Sequence, residues 1–236
     1  MMKTIGLLGG MSWESTLEYY RLINEETKHR RGGLHSARCL LYSVDFGEIE
    51  PFMQVDEWDQ ISQILVKASR ILEAGGADFL LLCTNTMHKL YETIQEALTI
   101  ELIHIADPTA EEILKAGINK IGLLGTKPTM EQDFYRERLQ EKGIDVIIPG
   151  EQDRDVVHRV IFKELCLGKY DMRSQQEYIR IMNDLTAQGA EGIVLGCTEI
   201  TLLLKKEEVS VPVFDTTSLH AVKAVERALE DEIPGE

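Results

Sequence analysis

Ile5-Gly6-Leu7-Leu8-Gly9 returns unchanged as Ile121-Gly122-Leu123-Leu124-Gly125, about halfway along a chain of 236 residues. An identical apolar pentapeptide at that spacing points to a duplicated unit, and other landmarks repeat with it. Tyr19-Tyr20-Arg21 has a counterpart in Phe134-Tyr135-Arg136. Cys83, in Gly-Ala-Asp-Phe-Leu-Leu-Leu-Cys-Thr-Asn-Thr, has one in Cys197, in Gly-Ala-Glu-Gly-Ile-Val-Leu-Gly-Cys-Thr-Glu. Asp107 and Asp215 each follow a short apolar run and precede a helical stretch. The pentapeptide, cysteine and aspartate spacings are 116, 114 and 108 residues, so the copies have drifted by only a few insertions or deletions.

Within each copy, apolar runs of strand length alternate with amphipathic stretches. Lys3–Leu8, Arg38–Ser43, Asp78–Leu82 and Leu102–Ile105 read as strands in the first copy. Lys120–Leu124, Asp145–Ile148, Gly192–Leu195 and Val211–Phe214 do so in the second. Trp58–Glu73 carries apolar residues at helical spacing, and Met87–Leu98, Ile200–Lys205 and Ser218–Glu230 also read as helices. Alternation of this kind predicts an α/β fold: two pseudo-symmetric domains, each a mainly parallel sheet flanked by helices. The expected domains are residues 1–116 and 117–217, with the 218–236 segment carrying a helix that packs back on the first. A cleft between the copies is the expected active site, since such folds bind ligands beyond the carboxyl ends of their strands.

The charge narrows the partners. Forty acidic against 25 basic residues leave a net −15, which argues against nucleic acid or an anionic membrane surface. No apolar run approaches the roughly 18–20 residues of a membrane span, and the N-terminus reads as a first strand rather than a signal peptide. Four scattered cysteines without a Cys-x-x-Cys pair suit a reducing cytoplasm and argue against structural zinc; a metal site is not expected.

Chemistry concentrates on the paired cysteines. A single cysteine is more often a buried structural thiol, and Cys39 and Cys166 are read that way. Two thiols at repeated strand ends suit a two-base proton transfer, in which one takes a proton from carbon and the other returns one to the opposite face. A helix starting just downstream of each is expected to lower its pKa. Thr84, Asn85 and Thr86 in one copy, with Thr198 and Glu199 in the other, serve either as helix caps or as donors to a carboxylate. Gly9-Gly10-Met11-Ser12 and Gly125-Thr126 lack the spacing of a P-loop and of a dinucleotide fingerprint, so a carboxylate cradle suits them better. Asp107 and Asp215 are either helix caps or groups that tune the thiols. His104 and His220 are read as structural, and Trp13 and Trp58 as packed.

Taken together, Gly9-Gly10-Met11-Ser12, Cys83-Thr84-Asn85-Thr86 and Gly196-Cys197-Thr198-Glu199 resemble the motifs of the aspartate/glutamate racemase family, over essentially the whole chain. Lys3–Glu14 is similar to the start of its bacterial broad-specificity branch. The resemblance implies an amino-acid racemase that works without pyridoxal phosphate or any other cofactor, usually as a homodimer. It implies that Cys83 acts on the D-enantiomer and Cys197 on the L-enantiomer. Asn85, Thr86 and Thr198 are then expected around the α-carboxylate and α-amino group, with Met11, Ser12, Thr84, Thr126 and Glu199 completing the pocket. Lys163 matches a lysine that receives a side-chain carboxylate. The loop after the second strand, Asp45 to Gln54, lacks the arginine of aspartate-specific members, which leaves Met53 and Gln54 for the side-chain pocket and favours a broader substrate range. Related outcomes remain open: hydantoin racemisation, maleate isomerisation, arylmalonate decarboxylation, or a binding protein that has lost turnover.

Overall fold

The computed structural model describes residues 1–204 and 209–232. Lys205, the expected last residue of one helix, and the end of the 218–236 segment lie outside them. The chain forms two compact units, Met1–His104 with His220–Glu236, and Ile105–Leu219.

The first unit has strands β1 (Ile5–Gly9), β2 (Cys39–Ser43), β3 (Phe79–Leu82) and β4 (Glu101–Ile103), all parallel in the order β2-β1-β3-β4. β1 and β3 are buried along their whole length, which is why they read as unbroken apolar runs. Alternate residues face opposite ways. Ile5, Leu7, Phe79 and Leu81 pack against Tyr19 and Ile23 of α1 (Trp13–Arg31) and share that cluster with Ala221, Ala224, Val225 and Ala228. Leu8, Leu80 and Leu82 meet Ile61, Leu65, Ala68 and Leu72 of α3 (Trp58–Ala74), which follows the short α2 (Phe46–Gln54). The expected helix Met87–Leu98 is instead a 3-10 turn, Thr86–Leu90, running into α4 (Tyr91–Glu96).

The second unit repeats the plan, with β5 (Lys120–Gly125), β6 (Asp145–Ile147), β7 (Gly192–Gly196) and β8 (Val213–Asp215) parallel in the order β6-β5-β7-β8. One face is covered by α5 (Ala106–Lys115) and by α7 (Asp133–Gln140), which follows the short α6 (Lys127–Glu131). The other is covered by α8 (Glu151–Lys163) and α9 (Met172–Ala187). Ile105, Ala106, Ala110 and Ile113 pack with Ile121, Leu123 and Val194 of this sheet. The division between units therefore falls before α5, earlier than the 116/117 boundary expected from the repeat. α10 (Ile200–Leu203) follows β7, and the first turn of α11 (Thr216–Leu229) belongs to this unit while the rest belongs to the first.

β8 starts two residues later than the expected Val211, past Pro212, which has no N–H to give a ladder. Trp13, expected to pack, is 63% exposed. No helix among the described residues is long and apolar enough to cross a membrane.

Candidate active site

Each cysteine caps a strand. Cys83 follows β3, and its N–H donates to Leu8 O at 2.9 Å. Cys197 follows β7, whose last residue, Gly196, pairs with Gly125. From the paired positions Phe79 and Gly192, opposite Ile5 and Ile121, the cysteines are four and five residues on, so Cys197 sits one residue further out. That difference reverses the sheet face a side chain meets. Cys83 packs in the cluster shared by α1 and α11, and Cys197 in the cluster of α8 and α9.

In the first unit Met11 and Ser12 after β1, and Thr84, Asn85 and Thr86 after Cys83, are all buried. Ser12 caps α1: its hydroxyl accepts from Ser15 N at 3.3 Å. Gly10, at φ +94°, lets the chain turn from β1 into this cap, and a side chain there would strike the Val44 carbonyl. Met11 shares a cluster with Ile49 and Met87, and Met53 packs against it. Gln54 is exposed, its amide donating to Glu50. Burial pushes the Cys83 thiol pKa well up, and Cys39 adds to the rise.

In the second unit Thr126 caps α6, and its hydroxyl accepts from Thr129 N at 3.4 Å. Thr129 lies over Gly125 and Gly196, where an added Cβ would come within 3.1 and 3.2 Å of it; this bareness lets β5 and β7 end side by side. The Cys197 thiol donates to Glu199 Oε2 at 2.9 Å, and the Cys166 thiol lies 3.9 Å from the other oxygen of the same carboxylate. Burial, the charge of Glu199 and the nearby Cys166 raise the Cys197 pKa well above its ordinary value, and a hydrogen bond from the Glu199 backbone N–H opposes them. Thr198 Oγ1 lies 2.9 Å from Thr217 Oγ1 in the first turn of α11. Lys163 is exposed at the last residue of α8.

The thiols are thus raised, opposite to the lowering expected from helix N-termini. Cys83 precedes a 3-10 turn and Cys197 a helix of four residues, so little dipole opposes the loss of water.

Asp215 is a cap, accepting from Thr217 N at 3.0 Å and Ser218 N at 3.3 Å. Asp107 instead takes both arms of the Arg138 guanidinium, at 3.0 and 2.8 Å. Burial works to raise the Asp107 pKa, and Arg138 and Lys142 outweigh it. His220 is structural: its Nε2 lies 3.0 Å from Ile103 O and its Nδ1 2.8 Å from Tyr19 OH. Two further residues reach this region: Tyr178, beside Cys197 and hydrogen-bonded to Val157 O at 3.0 Å, and His88, whose Nδ1 lies 2.7 Å from Thr84 O. Nothing in their spacing marks them. Among the described residues, no group of three or more His, Cys, Asp or Glu is arranged to hold a metal ion.

Residues 8–224 match the family model described as Asp/Glu/Hydantoin racemase. A Bacillus subtilis (strain 168) protein, the broad specificity amino-acid racemase RacX, is 25% identical over 228 residues, covering 94% of this chain and 96% of its own. A solved Yersinia pestis structure assigned to the Asp/Glu racemases is 53% identical with a TM-score of 0.90, covering 97% of this chain and 100% of its own. An aspartate racemase homologue from Pyrococcus horikoshii OT3 is 37% identical with a TM-score of 0.83, covering 96% and 99%.

Proposed function

This chain belongs to the Asp/Glu/Hydantoin racemase family, and on that premise we propose that it interconverts L- and D-amino acids by proton transfer between Cys83 and Cys197. The observation that carries the mechanism is the pair of buried thiols, each at a strand end of one repeated unit and each followed by threonine. Both are held neutral by burial, so a base must be made when substrate arrives. An amino acid brings its own ammonium group next to Cα, and a cation beside a sulfur favours the thiolate, whose proton is released to solvent as substrate enters. One thiolate then takes the Cα proton while the other thiol, still protonated, delivers its proton to the opposite face. For the next turnover the roles are exchanged.

Glu199 biases that choice. Its carboxylate accepts from the Cys197 thiol, which favours Cys197 as the proton donor in the free enzyme. Thr84, Asn85, Thr86 and Thr198 supply donors for the carboxylate as it takes on enolate-like charge, where stabilisation by pre-placed donors is most effective. Ser12 and Thr126, fixed as caps, shape the walls next to them. The scheme needs no electron-sink cofactor.

The side-chain pocket favours a broad substrate range. Met53 is half-buried against the cluster that holds Met11, and the segment from Asp45 to Gln54 carries no base to bind a second carboxylate. Lys163 remains a candidate for that role at the exposed end of α8. A homodimer in the cytoplasm is the setting that the family resemblance suggests.

The test is incubation with a panel of L- and D-amino acids in D₂O, following loss of the α-proton by NMR. Exchange with homoserine, methionine or lysine as well as aspartate and glutamate, and racemisation that needs both cysteines, are the expected results. Racemisation that survives loss of either thiol overturns the mechanism, and exchange of dicarboxylic amino acids alone overturns the broad range.

A further inference from the structure

Cys166 and Cys197 share a carboxylate. The Cys197 thiol donates to Glu199 Oε2 at 2.9 Å, and the Cys166 sulfur lies 3.9 Å from Glu199 Oε1. Two oxygens on one carbon are close together, so the sulfurs are within about 9 Å of each other even with the whole path straight. Cys166 also packs against the cluster that contains Cys197, and both belong to the second unit. Neither sits inside a long element. Cys166 is the middle residue of a 3-10 turn, Leu165–Leu167, closed by Gly168 at φ +66°. Cys197 lies between β7 and the four-residue α10. Connecting turns of this kind adjust more readily than paired strands.

The other two cysteines make the contrast. Cys39 and Phe79 both lie opposite Ile5, on either side of β1, and Cys83 is four residues beyond Phe79. At about 3.3 Å per residue, Cys39 and Cys83 are about 13 Å apart along the strands alone. A disulfide spans Cα atoms no more than about 7 Å apart, so Cys83 does not bridge to Cys39.

We propose that Cys166 is a resolving thiol for Cys197: hydrogen peroxide links the two in a disulfide, which takes Cys197 out of use until a dithiol restores it. The loss of turnover rests on the two-thiol reading above; the bridge itself does not.

Exposure orders the steps. Cys166 is half-buried beside exposed Leu167, whereas Cys197 is buried. A thiol is a weak nucleophile until its proton is taken, and Glu199 is the base next to both. The Cys166 sulfur gives its proton to the carboxylate and attacks one peroxide oxygen. The O–O bond breaks, and the leaving hydroxide takes that proton from Glu199 as water. Cys166 is then a sulfenic acid. The Cys197 sulfur attacks the Cys166 sulfur, the S–OH bond breaks, and the hydroxide leaves as water with the Cys197 proton, again through Glu199. Two thiols and one peroxide become one disulfide and two waters, and a dithiol reverses the bridge by exchange. A transient bridge is the kind that a reducing compartment allows.

The test treats the whole chain with hydrogen peroxide near neutral pH. The remaining thiols are blocked with iodoacetamide after unfolding, and the digest is mapped by mass spectrometry. A peptide pair joined through Cys166 and Cys197, two hydrogens lighter than its parts, is expected while Cys39 and Cys83 are still alkylated. The linked protein should run as a single chain on a non-reducing gel. Dithiothreitol is expected to return both thiols and the lost racemisation.

Cys166→Ser is expected to give no such pair. Prolonged peroxide then carries Cys197 to the sulfinic acid, and dithiothreitol does not restore racemisation. Cys166→Ala repeats the test if the serine variant does not fold. No linked pair, a pair that joins two chains, or recovery in Cys166→Ser as full as in the unsubstituted chain overturns the proposal. If the untreated, unsubstituted chain racemises no amino acid, the racemase reading fails, and the linked peptide still judges the bridge.

Discussion

Cys197 and Glu199 lie two residues apart and are joined side chain to side chain, sulfur to carboxylate oxygen, at 2.9 Å in a buried pocket. Cys83 is raised by burial and by Cys39 instead. The two thiols of the repeat therefore differ in charge environment. Glu199→Gln removes a negative charge that disfavours the thiolate, so Cys197 is expected to ionise at lower pH while Cys83 keeps its profile. Alkylation of each cysteine against pH measures this directly. An unmoved Cys197 midpoint would show that the carboxylate does not control it.

Replacing either thiol removes an acid in one half-reaction and a base in the other. Cys83→Ser and Cys197→Ser are each expected to cut racemisation by at least about 100-fold, the lower end of what a placed acid or base contributes. Circular dichroism should match that of the unsubstituted chain. Full activity in either variant would refute a mechanism that uses both.

His220 sets an acid limit on stability. Burial, with His88 nearby, lowers its pKa to about 3. The unfolded chain takes up a proton near the ordinary histidine value of about 6.5 and the folded chain does not. Its contribution is therefore fully present above about pH 6.5 and is lost as pH falls toward the folded value, at about 1.4 kcal/mol per pH unit. Urea unfolding at about pH 7.5 and pH 5 is expected to show a larger loss for the unsubstituted chain than for His220→Gln. Equal losses would mean that other groups govern this range.

Gly10 and Gly122 separate two kinds of glycine. An alanine at 10 is strained by φ +94° and strikes the backbone of Val44, so Gly10→Ala is expected to cost more than about 2 kcal/mol. An alanine at 122 comes within 2.9 Å of the Ile193 and Leu185 side-chain ends, which can turn aside, and 3.1 Å from Leu185 Cβ, which must give by a few tenths of an ångström. Gly122→Ala should cost less than Gly10→Ala in urea melts, and the reverse order would contradict the backbone clash.

The strands were legible because burial on both faces leaves no polar residue to interrupt them, as in Phe79–Leu82 and Gly192–Gly196. The burial of Ser12, Asn85 and Thr86 in the first unit, and of Thr126 and Thr198 in the second, follows from their places just beyond buried strand ends, which the sequence marks with small polar residues. What the letters could not carry is depth and direction. Cys83 and Cys197 look equivalent in sequence, yet one extra residue before Cys197 puts it on the other kind of face. Their raised pKa values follow from lost water, which no local pattern records.

The assignment of α11 to both units has a consequence for synthesis. The second unit is continuous from Ile105 to Leu219, whereas the first draws on both ends of the chain. Ala221, Ala224, Val225 and Ala228 complete a core begun by Met2, Ile5 and Leu7. On a ribosome the half made first must wait, one face of its sheet covered by α1 alone, until the half made second has emerged in full. The order of translation and the order of completion are thus opposed.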